Sequence, residues 1–174
     1  MVSVALYLAL VGVVVVARFV ELGVARRHLS WARERGGVES GAGHYPAMVA
    51  LHTALLLGCV VEVTLLDRPF PPGLGWSMLA LLVAAHGLRW WCIGTLGPQW
   101  NTRVVVVPGM PLVSGGPYRW LRHPNYVAVV LEGVALPLVH GAWLTAAAFT
   151  VLNLVLLLGF RIPAEERALR ESAA

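Results

Sequence analysis

Polar and conformationally special residues crowd into two short stretches of an otherwise apolar chain. The first is Arg119-Trp120-Leu121-Arg122-His123-Pro124-Asn125-Tyr126, preceded by Gly116-Pro117-Tyr118. The second is Arg161-Ile162-Pro163-Ala164-Glu165-Glu166-Arg167-Ala168-Leu169. Pro124 pushes His123 out of the α region and suits the first turn of a helix, so a helix is expected to start there. The free backbone N–H groups and positive dipole end of such a helix favour an anion. Arg161 with Glu165 and Glu166 joins a fixed cation to two acids, a set able to hold a polar head group and accept a proton. In an unbroken helix Arg161 faces Glu165 at i,i+4, but Pro163 interrupts that geometry and leaves open which glutamate turns inward. A purely structural reading is a snorkelling arginine paired with an acid at a helix end.

The elements that must position these groups are membrane helices. The chain has 174 residues, 58% hydrophobic and 13% charged, and a soluble domain carries roughly twice that charge, about 25%. Five apolar runs extend over Val2–Ala17, Pro46–Leu66, Leu74–Trp91, Tyr126–Val139 and Trp143–Phe160. Asp67 to Gly73 is a Pro-rich turn, and His140-Gly141-Ala142 joins the last two runs as a hairpin. The fourth run, at 1.5 Å per residue, gives about 21 Å of helix against a hydrocarbon core of about 30 Å, which predicts a shallow or tilted pair. Positive charges follow the first run instead of preceding it, so a retained helix is expected and not a cleaved signal peptide.

All thirteen cations are arginine, and with five spans only Arg68 falls on the side opposite the others. The positive-inside rule then gives an N-out, C-in protein, in bacteria of the inner membrane, with the polar loops at the cytoplasmic face. The expected fold class is all-α: one polytopic membrane domain over 1–174. Its residues 1–91 form three N-terminal helices, and 92–174 hold a long loop, the helical hairpin and the acidic segment. Arg26, Arg27, Arg33 and Arg35 are explained by topology alone. Thr102–Val107 suits a short strand or an extended stretch. Cys59 and Cys92 lie in or beside apolar runs and suggest neither a disulfide framework nor a zinc site.

The two polar stretches carry a resemblance. Gly116-Pro117-Tyr118-(x)3-Arg122-His123-Pro124-Asn125-Tyr126 resembles the Gly-x-Tyr-x-x-x-Arg-His-Pro-x-Tyr motif of isoprenylcysteine carboxyl methyltransferases and related phospholipid methyltransferases. Arg161-Ile162-(x)2-Glu165-Glu166-(x)2-Leu169 resembles the second half of their signature. Both occur in the family's order, one hairpin apart, within Leu96 to Leu169. In the N-terminal half, Glu21-Leu22-(x)3-Arg26-Arg27 and the stretch Arg35-Gly36-Gly37 to His52 are similar to small bacterial members encoded beside type III polyketide synthases.

The resemblance implies an S-adenosylmethionine-dependent methyltransferase acting on a carboxyl or hydroxyl oxygen of a lipophilic acceptor that enters from the bilayer, either isoprenylcysteine-like or an alkylpyrone lipid. It implies a cofactor pocket of Leu112, Val113, Tyr118, Arg122, His123, Tyr126 and Glu165, with Arg161 and Glu166 as the catalytic pair. Gln99 joins the pocket on position alone. The cofactor needs a cation or backbone N–H groups for its carboxylate, acceptors for its ribose and an apolar slot for its purine. Gly41-x-Gly43 runs into Pro46 with no strand before it, so no Rossmann fingerprint is present.

Glu132 and His52 lie deep in apolar runs, where an ionisable side chain needs a partner. Both are candidate substrate-binding residues. For Glu132 the structural reading is a neutral or paired acid; for His52 and His86 it is packing. No carboxylate or thiol is spaced to complete a metal site. Asn153 suits glue between helices. Glu62, Trp76, Trp90, Trp91 and Trp143 read as interfacial residues. Two rivals stand beside the methyltransferase: an NADPH-dependent sterol- or steroid-type reductase, which usually continues well past the acidic motif, and a non-catalytic small membrane carrier. Neither nucleic-acid binding nor an oligomeric state is implied.

Overall fold

The computed structural model describes residues 2–173. It is mainly helical: α1 (Val2–Arg33), α2 (Tyr45–Leu65), α3 (Pro72–Leu96), α4 (Pro124–Leu138), α5 (Trp143–Leu156) and α6 (Ile162–Ala173). By length and composition, four helical stretches are apolar enough to cross a membrane: Ser3–Arg33, Ala42–Leu65, Pro72–Gln99 and Trp143–Ser172. The shorter apolar helix Pro124–Leu138 lies among them. Its fifteen residues span about 22 Å.

Two features differ from the elements the apolar runs mark out. Val38–Ser40 (β1) pairs antiparallel with Val104–Val106 (β2), Glu39 opposite Val105. The β-branched run after Thr102 thus finds its partner more than sixty residues upstream, and that pairing is invisible to local periodicity. α1 also continues past Ala17 to Arg33. The extra turns are polar on one face because Arg18 and Glu21 pair within the helix, Arg18 Nη1 lying 2.7 Å from Glu21 Oε2.

The chain after α5 is likewise unbroken. Leu157–Arg161 forms a π-helical turn that leads directly into α6. A proline ring clashes with the carbonyl four residues back, and the wider turn gives Pro163 room near the start of α6. The π turn buries Arg161 against the bundle.

α4 is the buried centre, packed against α3 on one side and α5 on the other. Gly133 is required there, because a Cβ would collide with the Phe149 ring. Below it, Tyr7, Val11 and Val14 of α1 meet Leu55 and Val63 of α2 and Leu136 of α4 in a closed core. The Tyr7 hydroxyl donates to the Leu136 carbonyl (3.1 Å), so a carbonyl at the end of α4 has a partner. At the same end Glu62 is buried, not interfacial. Its carboxylate accepts from the Thr145 N–H (2.7 Å), the Thr145 hydroxyl (2.8 Å) and the Leu144 N–H (3.2 Å), and from Arg68 Nε (3.1 Å). A side chain of α2 thereby caps the N-terminus of α5.

Replacing this carboxylate strands two helix N–H groups and Arg68. Glu62→Ala is expected to cost about 2 kcal/mol, which lowers the thermal unfolding midpoint in detergent by about 4–8 °C. An unchanged midpoint would remove the cap from the account.

Candidate active site

Hydrogen bonds between elements far apart in sequence gather one end of the bundle around a loop. Loop residues 97–107 dock on α1, where His28 Nδ1 lies 2.8 Å from the Trp100 carbonyl and Asn101 Nδ2 donates to the Ala25 carbonyl at 3.0 Å. Thr102 then meets α2 through Tyr45 (3.4 Å between hydroxyls) and the π turn through Arg161, whose Nη2 donates to the Thr102 carbonyl at 2.8 Å. His123 is the residue before α4 and has a non-helical backbone, φ −133° and ψ 62°. Pro124 imposes that conformation, and it turns the imidazole toward α6.

The imidazole bridges both acids of the second motif. Nδ1 lies 3.3 Å from Glu165 Oε1, and Nε2 lies 3.4 Å from Glu166 Oε1. Two carboxylate partners call for two N–H donors, which is the imidazolium form. The hydrogen bond to Glu165 accordingly raises the His123 pKa above the ordinary imidazole value, and Glu166 adds to the effect. Tyr126, one turn into α4, stacks on His123 with ring centroids 5.6 Å apart. Its hydroxyl donates to Glu165 and accepts from Arg161 Nε at 3.0 Å. Arg161 therefore reaches Glu165 only through Tyr126, and the i,i+4 pairing of an ideal helix is not formed.

These groups line one cavity of about 560 Å³ at this end of the bundle. That volume lies within the range of small-molecule and cofactor pockets, about 300–1,000 Å³. Gln99, Leu112, Val113, Tyr118, Arg122, His123, Tyr126, Arg161, Glu165 and Glu166 all lie on its wall. Val104–Val107 make the opposite side apolar. Arg122 is largely exposed at the mouth, its Nε 3.5 Å from Glu166. Burial pushes the Tyr118 phenol well up, so it remains a donor.

His52 and Glu132 are elsewhere. They line a second cavity of about 30 Å³ inside the bundle, with Arg18, His86 and Phe149. Glu132 is held by Arg89, Nη2 to Oε2 at 2.8 Å, and by Arg18, Nη2 to Oε1 at 3.1 Å. Arg18 also pairs with Glu21, and Arg89 Nε lies 3.7 Å from Glu21 Oε1. His86 Nε2 lies 3.3 Å from Arg18 Nη2. In the sequence Arg18 and Arg89 stand out only as charges that border the polar loops. Their signal was the matching depth of Glu21 and Glu132, one acid for each arginine.

Comparison with known proteins shows the family. Residues 78–171 match the model of the isoprenylcysteine carboxyl methyltransferase (ICMT) family. The chain belongs to that family. It is also 37% identical over 163 residues to the uncharacterized protein YpbQ of Bacillus subtilis (strain 168), covering 93% of this chain and 95% of the relative. As an ICMT-family protein it is a membrane methyltransferase by type, and the matched region contains the residues of both motifs that line the larger cavity.

The ICMT-family site contains a titratable clasp. With its folded pKa raised, His123 contributes stability that is fully present below the ordinary imidazole pKa of about 6.5. That contribution is lost as pH rises through the raised folded value. Unfolding midpoints measured between about pH 6 and pH 9 should fall across that window for the native chain. In His123→Asn the same step should be absent. An equal pH dependence in both would remove the imidazolium clasp.

Proposed function

We propose that this chain transfers a methyl group from S-adenosylmethionine to a carboxyl or hydroxyl oxygen of a lipophilic acceptor that stays in the bilayer. The observation that carries this reading is the single cavity shared by Arg122-His123 of one motif and Arg161 with Glu165-Glu166 of the other. The arginine-rich end of the bundle supports a cytoplasmic placement of that cavity, with the N-terminus of α1 outside and five spans in total.

The donor set fits the cofactor. Arg122, exposed at the mouth, suits its carboxylate; the Glu165 side suits its cationic groups; Leu112, Val113 and the β2 valines suit its purine. Gln99 and Tyr118 add hydrogen-bonding groups for the ribose. Bound there, S-adenosylmethionine supplies an electrophilic methyl group. The protein's task is then to hold the acceptor oxygen in line and to exclude water.

Arg161 is built for the first part. Its Nε and Nη2 are fixed by Tyr126 and Thr102, and among the described residues Nη1 takes no partner. We assign Nη1 to the acceptor oxygen. A carboxylate acceptor needs no base. A hydroxyl acceptor gives its proton to Glu166, which His123 and Arg122 hold at the cavity wall. The acceptor's apolar body enters between helices toward His52 and the Glu132 cluster. An isoprenylcysteine-like or alkylpyrone lipid meets this description.

Titration of detergent-solubilised protein should give binding of S-adenosylmethionine and none of NADPH. With labelled cofactor and extracted lipids, Arg161→Ala is expected to lower methyl transfer at least about 10²-fold while cofactor binding persists. Glu166→Gln should lower transfer to hydroxyl acceptors by about 10²-fold. Full transfer by a folded Arg161→Ala protein, or NADPH binding in place of S-adenosylmethionine, would sink the reading.

A further inference from the structure

The segment between β2 and α4 walls the larger cavity on one side and is bare on the other. Leu112, Val113, Tyr118 and Arg122 line the cavity, yet Leu112 is 66% exposed and Trp120 67%. Residues 111–114 lie outside any helix or strand, and among the described residues no backbone hydrogen bond holds them. Their position is therefore set by what lies against the two faces of the segment.

The C-terminal end of the segment is seated on α3. Gly116 has φ +52°, and a Cβ there would collide with Thr95 Oγ1 and crowd the Trp91 indole nitrogen, so only glycine permits the approach. That seat sets the Trp120 ring edge-on to Trp91, with centroids 5.9 Å apart and an interplanar angle of 62°. Trp91 belongs to the stretch Pro72–Gln99, long and apolar enough to cross a membrane. With Val83 and Trp90 it forms a side of α3 that is exposed, facing out of the bundle. In a spanning helix that side meets lipid. Trp120 continues it near the helix end, the level at which tryptophan favours the bilayer interface.

Arg119 stands beside this aromatic pair. It is exposed, and its guanidinium lies over the Trp120 ring, 5.9 Å from the centroid. Among the described residues its side chain takes part in no ion pair or hydrogen bond. Stacking covers one face of a guanidinium and leaves its N–H edge free. The chain between Asp67 and Glu132 contains no acidic residue, so the segment offers Arg119 no carboxylate of its own. A planar N–H edge next to interfacial indoles matches a lipid phosphate. An anionic headgroup is favoured over a zwitterionic one, whose own cation offsets the phosphate charge.

We propose that Arg119, Trp120 and Trp91 form a docking site for an anionic phospholipid of the surrounding bilayer, and that this lipid steadies the segment walling the larger cavity. Arg119 holds the phosphate, while the two indoles lie against the glycerol and upper acyl region. Trp120 is two residues from Tyr118 and two from Arg122, both on the cavity wall. Fixing its outer face therefore restricts the inner face that a cofactor meets, and the cofactor binds more tightly. That second clause rests on S-adenosylmethionine being the ligand of the larger cavity; the docking site itself does not.

The test places the full chain in nanodiscs of mixed phosphatidylglycerol and phosphatidylcholine, with one lipid or the other brominated in its acyl chains. Bromine quenches a nearby indole, and the share of fluorescence that Trp120→Phe removes reports this site. Quenching curves are expected to give phosphatidylglycerol about five-fold the association constant of phosphatidylcholine. Arg119→Gln should bring that ratio close to one. In the same bilayer, where the surface charge acting on the cofactor is unchanged, it should also weaken S-adenosylmethionine binding about five-fold. Arg119→Lys keeps the charge and should retain part of both effects. Equal association constants in the native chain overturn the docking site, as does a preference that survives Arg119→Gln. Trp120 fluorescence that neither lipid quenches, as beneath a protein partner or a second copy, overturns it too. Unchanged cofactor affinity in Arg119→Gln overturns the coupling to the cavity. Failure of the native chain to bind S-adenosylmethionine in any bilayer counts against the methyl-transfer reading, and the lipid ratio still decides the docking site.

Discussion

Buried Arg89, Glu21 and Glu132 and half-buried Arg18, within the apolar part of the bundle, must neutralise one another, and that requirement fixes how the helices meet. Arg18 and Glu21 come from α1, Arg89 from α3 and Glu132 from α4. An unpaired charge at such depth is expensive, so these contacts are close to obligatory once the helices are in the membrane. They tie α4 to α1 and α3 at one height. Because α4 begins only eight residues before Glu132, the same tie sets where Pro124, His123 and Tyr126 stand.

From that fixed point the site assembles through a short chain of contacts. Pro124 turns His123 out of helical geometry, and the imidazolium then holds Glu165 and Glu166. Tyr126 passes the constraint to Arg161, which the π turn has placed inward, and Arg161 closes onto the Thr102 carbonyl. Thr102 belongs to a loop secured on α1 and to the small β1–β2 ribbon. The residues of the two motifs thus share one rigid unit, which suits the proposed methyl transfer, a displacement that depends on alignment more than on new covalent chemistry.

The far end of the bundle is organised by different means. Glu62 caps α5 from α2, Tyr7 completes the end of α4, and Gly133 lets Phe149 approach α4 closely. These contacts hold the α4–α5 hairpin against the first two helices without any group that the chemistry needs. The inner cavity lies between the two ends.

Hydropathy and arginine placement determined by themselves that the chain is a bundle of membrane helices with its polar loops at one end. Those signals are local, summed over long runs. The helix start at Pro124 and the pairing of the Arg122-His123 and Arg161–Glu166 motifs were also legible, because proline chemistry and motif order need no tertiary information. Tertiary structure decided what depends on contacts between distant residues. It paired Val38–Ser40 with Val104–Val106, made Glu62 a cap for a helix eighty residues away, and turned Arg18 and Arg89 from end charges into partners of Glu132. It also carried the helix through Pro163 by a π turn, where the proline itself pointed to an interruption. Sequence spacing states which groups are available. Only packing in a low-dielectric interior, where every buried charge and N–H must find a partner, states which of them meet.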